Sequence, residues 1–288
     1  MRSLVRGMLR ALLAAVTGGA LCAAPALLPA GAPAQAEPAP NARPAAPPAG
    51  PANPDDDHAG AQIARREGTG RSRGVPPPRV ARTQGLDVSS HQGNVDWAAV
   101  VAKGAAFAYV KATEGTTYRN PFFAQQYNGS YQAGLIRGAY HFALPNVSDG
   151  VAQANFFVDH GGGWSPDGRT LPPALDIEYN PYGPICYGLS QRDMVGWIRA
   201  FSDQVHARTG RWPTIYTSTR WWSACTGNLG DFSDTNPLWL ARYAADPGPM
   251  PFDWDFHTFW QYDDAGAFPG DQDSFNGSLD RLRALALG

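Results

Sequence analysis

The chain has 288 residues, 43% hydrophobic and 11% aromatic, with a net charge of −2. That value hides an asymmetry: residues 1–82 carry ten Arg against five acids, while residues 83–288 carry thirteen Lys and Arg against twenty Asp and Glu. So acidic a region is the wrong sign for a phosphate backbone, which excludes nucleic acid as the expected partner.

The N-terminus predicts an export signal over residues 1–36. Arg2, Arg6 and Arg10 precede an apolar run over 11–28, and Ala34-Gln35-Ala36 offers a small-residue cleavage site. Gly and Pro interrupt the run too often for a stop-transfer helix, so a secreted, extracellular protein without stable membrane association is expected. Leu21 stands before Cys22 where a lipid-attachment motif needs a small residue. Removing the signal leaves Cys186 and Cys225. In an oxidising compartment this pair predicts a disulfide, worth about 3–4 kcal/mol for a loop of that size, with two buried thiols as the alternative.

Residues 37–82 are rich in Pro, Ala and Gly and poor in large apolar side chains. Such a segment buries too little surface to offset chain entropy and is expected to be a disordered linker. Its arginines, Arg65, Arg66, Arg71, Arg73, Arg79 and Arg82, read as solvated linker charge.

Beyond residue 82 the pattern becomes that of one α/β domain, 83–288. Short β-rich runs at 85–89, 107–111, 136–142, 173–177, 214–217, 238–243 and 258–262 alternate with helical stretches at 97–103, 120–133, 150–160 and 192–209. Asp96 is placed to cap the first of these helices. Alternation implies a largely parallel sheet curled into a barrel, and helices thin out after Tyr216.

The sharpest local signal is Leu175-Asp176-Ile177-Glu178. Side chains two apart on a strand share a face, with Cα atoms about 6.6 Å apart. Both carboxylates fall near the C-terminal end of a strand, where barrel enzymes place catalytic groups. Two acids held close cannot both ionise readily, so one stays protonated, as glycoside cleavage requires. A D-x-E alone also describes an exposed acidic strand end. Asp87 ends the first strand, and Asp271 and Asp273 follow Pro269-Gly270; each of these fits an ordinary turn role as well.

Taken together, these segments resemble glycoside hydrolase family 25, the Chalaropsis-type lysozymes. The resemblance rests on residues 85–93, Ala108-Tyr109-Val110-Lys111-Ala112-Thr113-Glu114-Gly115, Arg137-Gly138-Ala139-Tyr140-His141-Phe142, 175–178, 215–217 and 259–262. It is closest to secreted actinobacterial members, including the placement of Cys186 and Cys225. It implies a single flattened, irregular β/α barrel with about five parallel strands, some antiparallel ones and a reduced helix count. The implied activity is N-acetylmuramidase: hydrolysis of the β-1,4 bond between MurNAc and GlcNAc in bacterial peptidoglycan. By the same resemblance Glu178 is the general acid, Asp176 stabilises the substrate acetamido group, and Asp87 supports the pair. The last family aspartate matches Asp271 in one alignment and Asp273 in another, and both stay open.

Tyr140, Tyr216, Trp260 and Gln261 are the expected substrate-binding residues, the aromatic ones falling at strand ends where flat rings stack on sugars. Each ring fits a barrel core equally well. The six histidines lack metal-ligand spacing, so no metal and no cofactor are expected, and His141 reads as a hydrogen-bonded barrel residue. A monomer is expected. Two alternatives remain: a non-catalytic peptidoglycan-binding barrel, and a chitinase-like glycosidase. The latter carries a further aspartate where this chain has Ala174.

Overall fold

Gly85-Leu86-Asp87-Val88 opens the barrel. In the computed structural model, which describes residues 58–69 and 82–288, this run lies in β1 (Thr83–Val88). It is followed by β2 (Phe107–Glu114), β3 (Tyr118–Arg119), β4 (Ile136–Phe142), β5 (Ala174–Asp176), β6 (Thr214–Thr217), β7 (Leu238–Ala241), β8 (Phe259–Asp263) and β9 (Asp271–Phe275). The strand order is β1-β9-β8-β7-β6-β5-β4-β2, and pairing of β1 with β2 closes the ring, with β3 hanging outside on β2. Seven barrel strands run parallel, two more than the expected five, and β9 is antiparallel to both its neighbours. The mixed barrel with few helices is otherwise the expected architecture.

The helices are α1 (Ala61–Glu67), α2 (Trp97–Ala102), α3 (Phe123–Gln132), α4 (Gly150–Asp159), α5 (Gln191–Thr209), α6 (Thr219–Thr226) and α7 (Leu279–Leu287). Their starts are written in the sequence: Asp96, Asp149, Ser190, Ser218 and Ser278 each accept a backbone N–H from the first turn. None of the described helices is long and apolar enough to cross a membrane.

Strand alternation divides the core into two layers. Inside the barrel, Tyr109 stacks on Trp239 at 4.7 Å and meets Phe259 edge-on, while Tyr140 and Tyr216 also pack their edges against Trp239. Outside, α4 and α5 cover β4 with Phe157 and Phe201, both of which lie against the ring of His141. Cys186 and Cys225 form the expected disulfide, tying the loop after β5 to α6.

Residues 58–69 depart from expectation. They fall within the segment assigned to a disordered linker, yet they hold a turn and the helix α1, with Ala59 and Ile63 buried in the main core. A seven-residue helix is marginal alone. It forms here because two apolar side chains, Ala59 and Ile63, find the mouth of the barrel. The predicted export signal and the remainder of the linker, apart from Arg82, lie outside the described residues.

Candidate active site

Asp176 ends β5 and Glu178 follows two residues on, at the C-terminal rim of the parallel strands. The Cα partners of Asp176 in its neighbouring strands are Phe142 and Tyr216, which fixes its side chain on the barrel's inner face. Asp87, at the same rim, is the Cα partner of Asp271, and Gly85 one layer deeper is that of Asp273. β9 runs antiparallel, so its first residue, Asp271, reaches the same rim while Asp273 sits below it. All five carboxyls are buried. The alternative reading of Asp271 and Asp273 as ordinary turn formers does not hold: both lie on a paired strand, facing inward.

Gln261, on β8, connects the acids. Its amide donates to Asp87 Oδ2 at 2.7 Å and to Asp271 Oδ2 at 3.1 Å. Its carbonyl oxygen accepts from the hydroxyls of Tyr216 (2.7 Å) and Tyr243 (2.8 Å). With the oxygen fixed by two phenols, the NH2 group has to face the carboxylates. Trp239 holds the deeper acid, donating its indole N–H to Asp273 Oδ1 at 2.8 Å.

Burial is the first cause of every pKa shift at this site. It raises Glu178 to about 8, opposed by the backbone N–H groups of Gly60 and Ile63 and reinforced by the charges of Glu67 and Asp87. Asp87 rises to about 7, with hydrogen bonds from Gln261 and Asp273 opposing burial. Asp176 is pushed well above the carboxylate range by burial and then by Glu178, with Lys111 pulling the other way. Asp273 rises through burial and the charge of Asp87; between those two, Asp273 keeps the proton and Asp87 accepts it. Neither oxygen of Asp176 and only one of Glu178 has a hydrogen-bond partner. Buried polar atoms are rarely left so, and where they are, a ligand or catalytic role is the usual explanation.

The expected aromatic contacts separate. Tyr140 and Tyr216 face inward, Tyr140 within the fields of Asp87, Asp176 and Asp271. Trp260 does not join them. It sits one residue from Gln261 on the opposite face of β8, donates to the Arg242 carbonyl at 2.8 Å, and lies under the Arg82 guanidinium. Strand alternation forbids both neighbours from facing the cleft. Tyr243 and Trp239 were not singled out from sequence. Their spacing along 238–243 puts both on the inward face with Ala241, and that alternation was the available signal.

A parallel barrel that gathers buried carboxyls of raised pKa at the C-terminal ends of its strands fits a glycoside hydrolase. The chain belongs to glycosyl hydrolases family 25, whose family model matches residues 86–271. It is 53% identical over 209 residues to the N,O-diacetylmuramidase of Chalaropsis sp, covering 71% of this chain and 99% of that one. To Lysozyme M1 of Streptomyces globisporus it is 46% identical over 233 residues, 79% of each chain. The solved structure of a muramidase from Acremonium alcalophilum superposes with a TM-score of 0.70 at 55% identity, covering 72% of this chain and 100% of that one.

Proposed function

We propose that the chain is a secreted muramidase that hydrolyses the β-1,4 bond between MurNAc and GlcNAc of bacterial peptidoglycan. The names of its relatives support this substrate, and the residue pattern at 1–36 supports export. The observation that carries the assignment is the burial of Glu178, which raises its pKa, at the same barrel rim as an Asp176 whose two oxygens have no partner.

Glu178 donates its proton to the leaving O4 of GlcNAc as the C1–O4 bond breaks. The N-acetyl carbonyl oxygen of MurNAc attacks C1 from the opposite face, and Asp176, which loses its proton once the opened cleft relieves its burial, accepts the acetamido N–H and stabilises the positive charge that grows there. Water then adds to C1, Glu178 takes its proton, and the oxazoline-like ring reopens with net retention. Asp87, Asp271 and Gln261 form the wall that holds Asp176 and the sugar in register. Asp271 takes the part of the last family aspartate because it reaches the rim, and Asp273 positions Asp87 from beneath. Tyr140 and Tyr216 offer rings and hydroxyls to the sugar.

Glu178→Gln keeps the shape and removes the proton. Loss of a general acid of this kind lowers kcat by about 10²–10⁴-fold. Glu178→Gln, compared with the unsubstituted chain at matched length in a peptidoglycan turbidity assay, is expected to show such a loss with an unchanged circular dichroism spectrum; equal rates would refute the assignment.

A further inference from the structure

The rim that the mechanism needs open is filled by the chain itself. Asp176 and Glu178 have no accessible surface, and a catalytic acid in that state cannot meet a polymer. What covers Glu178 is the segment 58–69. The Gly60 backbone N–H donates to Glu178 Oε1 at 2.6 Å, and the Ala59 carbonyl accepts from Gln261 Nε2 at 3.3 Å.

Its fit to the site is close at both ends. Gly60 adopts φ +92°, and a Cβ there would lie 1.8 Å from the Tyr243 hydroxyl, 2.5 Å from Gln261 Oε1 and 2.9 Å from the Tyr216 hydroxyl. Only glycine brings the backbone this near to the acids. One helical turn on, Ile63 is 1% exposed. At the far end of α1 the Glu67 carboxylate accepts from the Tyr179 hydroxyl at 3.0 Å and from Ser218 Oγ, and Arg66 lies over the Tyr179 ring. A cavity of about 440 Å³ continues beyond Ile63, Glu67 and Gly68 toward Arg220, Arg242 and Tyr243, the part of the groove the segment leaves unfilled.

We propose that residues 58–69 are an autoinhibitory segment, a peptide ligand of the chain's own sugar cleft that must leave before peptidoglycan can enter. The proposal rests on the muramidase assignment for what it inhibits, but not for the docking itself. Twelve residues separate Thr69 from Arg82. A short tether sets an effective concentration of about 1 mM, so an intrinsic Kd of ~0.1 mM already closes about nine chains in ten. The barrel has no need of the segment to fold. All its strand pairings lie within 83–275, and the Acremonium alcalophilum muramidase aligns over its whole length with only 72% of this chain, about the size of 82–288.

Three chains test this: the full chain, full-length Gly60→Val, and 82–288. Both altered chains are expected to digest peptidoglycan about tenfold faster than the full chain. A synthetic peptide of residues 58–69, titrated calorimetrically into 82–288, should bind one to one and raise KM without lowering kcat; its Gly60→Val version should not bind. Equal rates in all three chains, or no binding of the unaltered peptide, overturns the proposal. Peptide binding to a barrel that digests nothing upholds the docking and refutes the muramidase assignment instead. Full-length Gly60→Val keeps the rate comparison meaningful should 82–288 fold poorly.

Discussion

Two buried polar groups on either side of β4 make opposite use of the same low dielectric. Outside the barrel, His141 Nδ1 lies 2.8 Å from Thr113 Oγ1, and its Nε2 lies 3.0 Å from Gln153 Oε1. Gln153 donates its amide to the carbonyls of Leu144 and Ser148, which leaves its oxygen as acceptor and makes His141 the neutral Nε2–H tautomer. This network is filled by protein groups alone, and it pins the loop after β4 onto α4. Inside the barrel, Asp176 has no hydrogen-bond partner at all and Glu178 is met by the backbone of a displaceable segment. A satisfied buried network is structure; an unsatisfied one is held for a ligand.

Substitutions should therefore separate the two groups by what they damage. Asp176→Asn preserves size but removes the acid that steadies the reacting acetamido group in the opened cleft, and kcat is expected to fall by about 10²–10³-fold, the range for losing one preorganised electrostatic contact. Thermal unfolding should stay unchanged or shift upward, since a buried carboxyl without partners is removed. On the other side, Gln153→Leu strands the His141 ring and the Leu144 backbone. It should cost about 2–3 kcal/mol of stability in urea unfolding while the kcat of the folded fraction holds. An exchange of those outcomes would break the contrast.

Titration sharpens it further, because the signs are opposite. Burial lowers His141 to about 3, so between about pH 6.5 and 3 the unfolded chain takes up a proton the folded chain refuses, and stability falls on acidification. Glu178 at about 8 and Asp87 at about 7 hold protons that the unfolded chain releases above pH ~4, so their contribution is complete at low pH and lost as pH rises through 7 to 8. Each slope approaches ~1.4 kcal/mol per pH unit at most. Glu178→Gln removes a falling slope and should gain stability relative to the unsubstituted chain between pH 5 and 7. Urea midpoints that move in parallel at the two pH values would contradict this.

Much of the fold is legible in the residues because periodicity and caps agree. The predicted strand runs all appear, and Asp96 caps α2 as its position implies. β9 is not legible: Asp271-Gln272-Asp273-Ser274 is polar on both faces, and a barrel strand lined with buried carboxyls imitates a turn. Trp260 misleads for the reverse reason. A large ring inside a recognisable motif invites a sugar contact, but register gives the inward position to Gln261. α1 escapes notice because composition averages over a window, and the Pro, Ala and Gly around it outweigh Ile63. What made it a helix was a complementary surface more than one hundred residues away in sequence, visible only once Glu178 and Gln261 were brought together.

The bond that is cut is the most direct test of the account. Peptidoglycan digested with this protein, reduced with borohydride and analysed by mass spectrometry after acid hydrolysis should yield muramitol, from MurNAc at every new reducing end. Glucosaminitol in its place would put the cleavage on the other glycosidic bond and contradict the assignment of Glu178 and Asp176 to a MurNAc sugar.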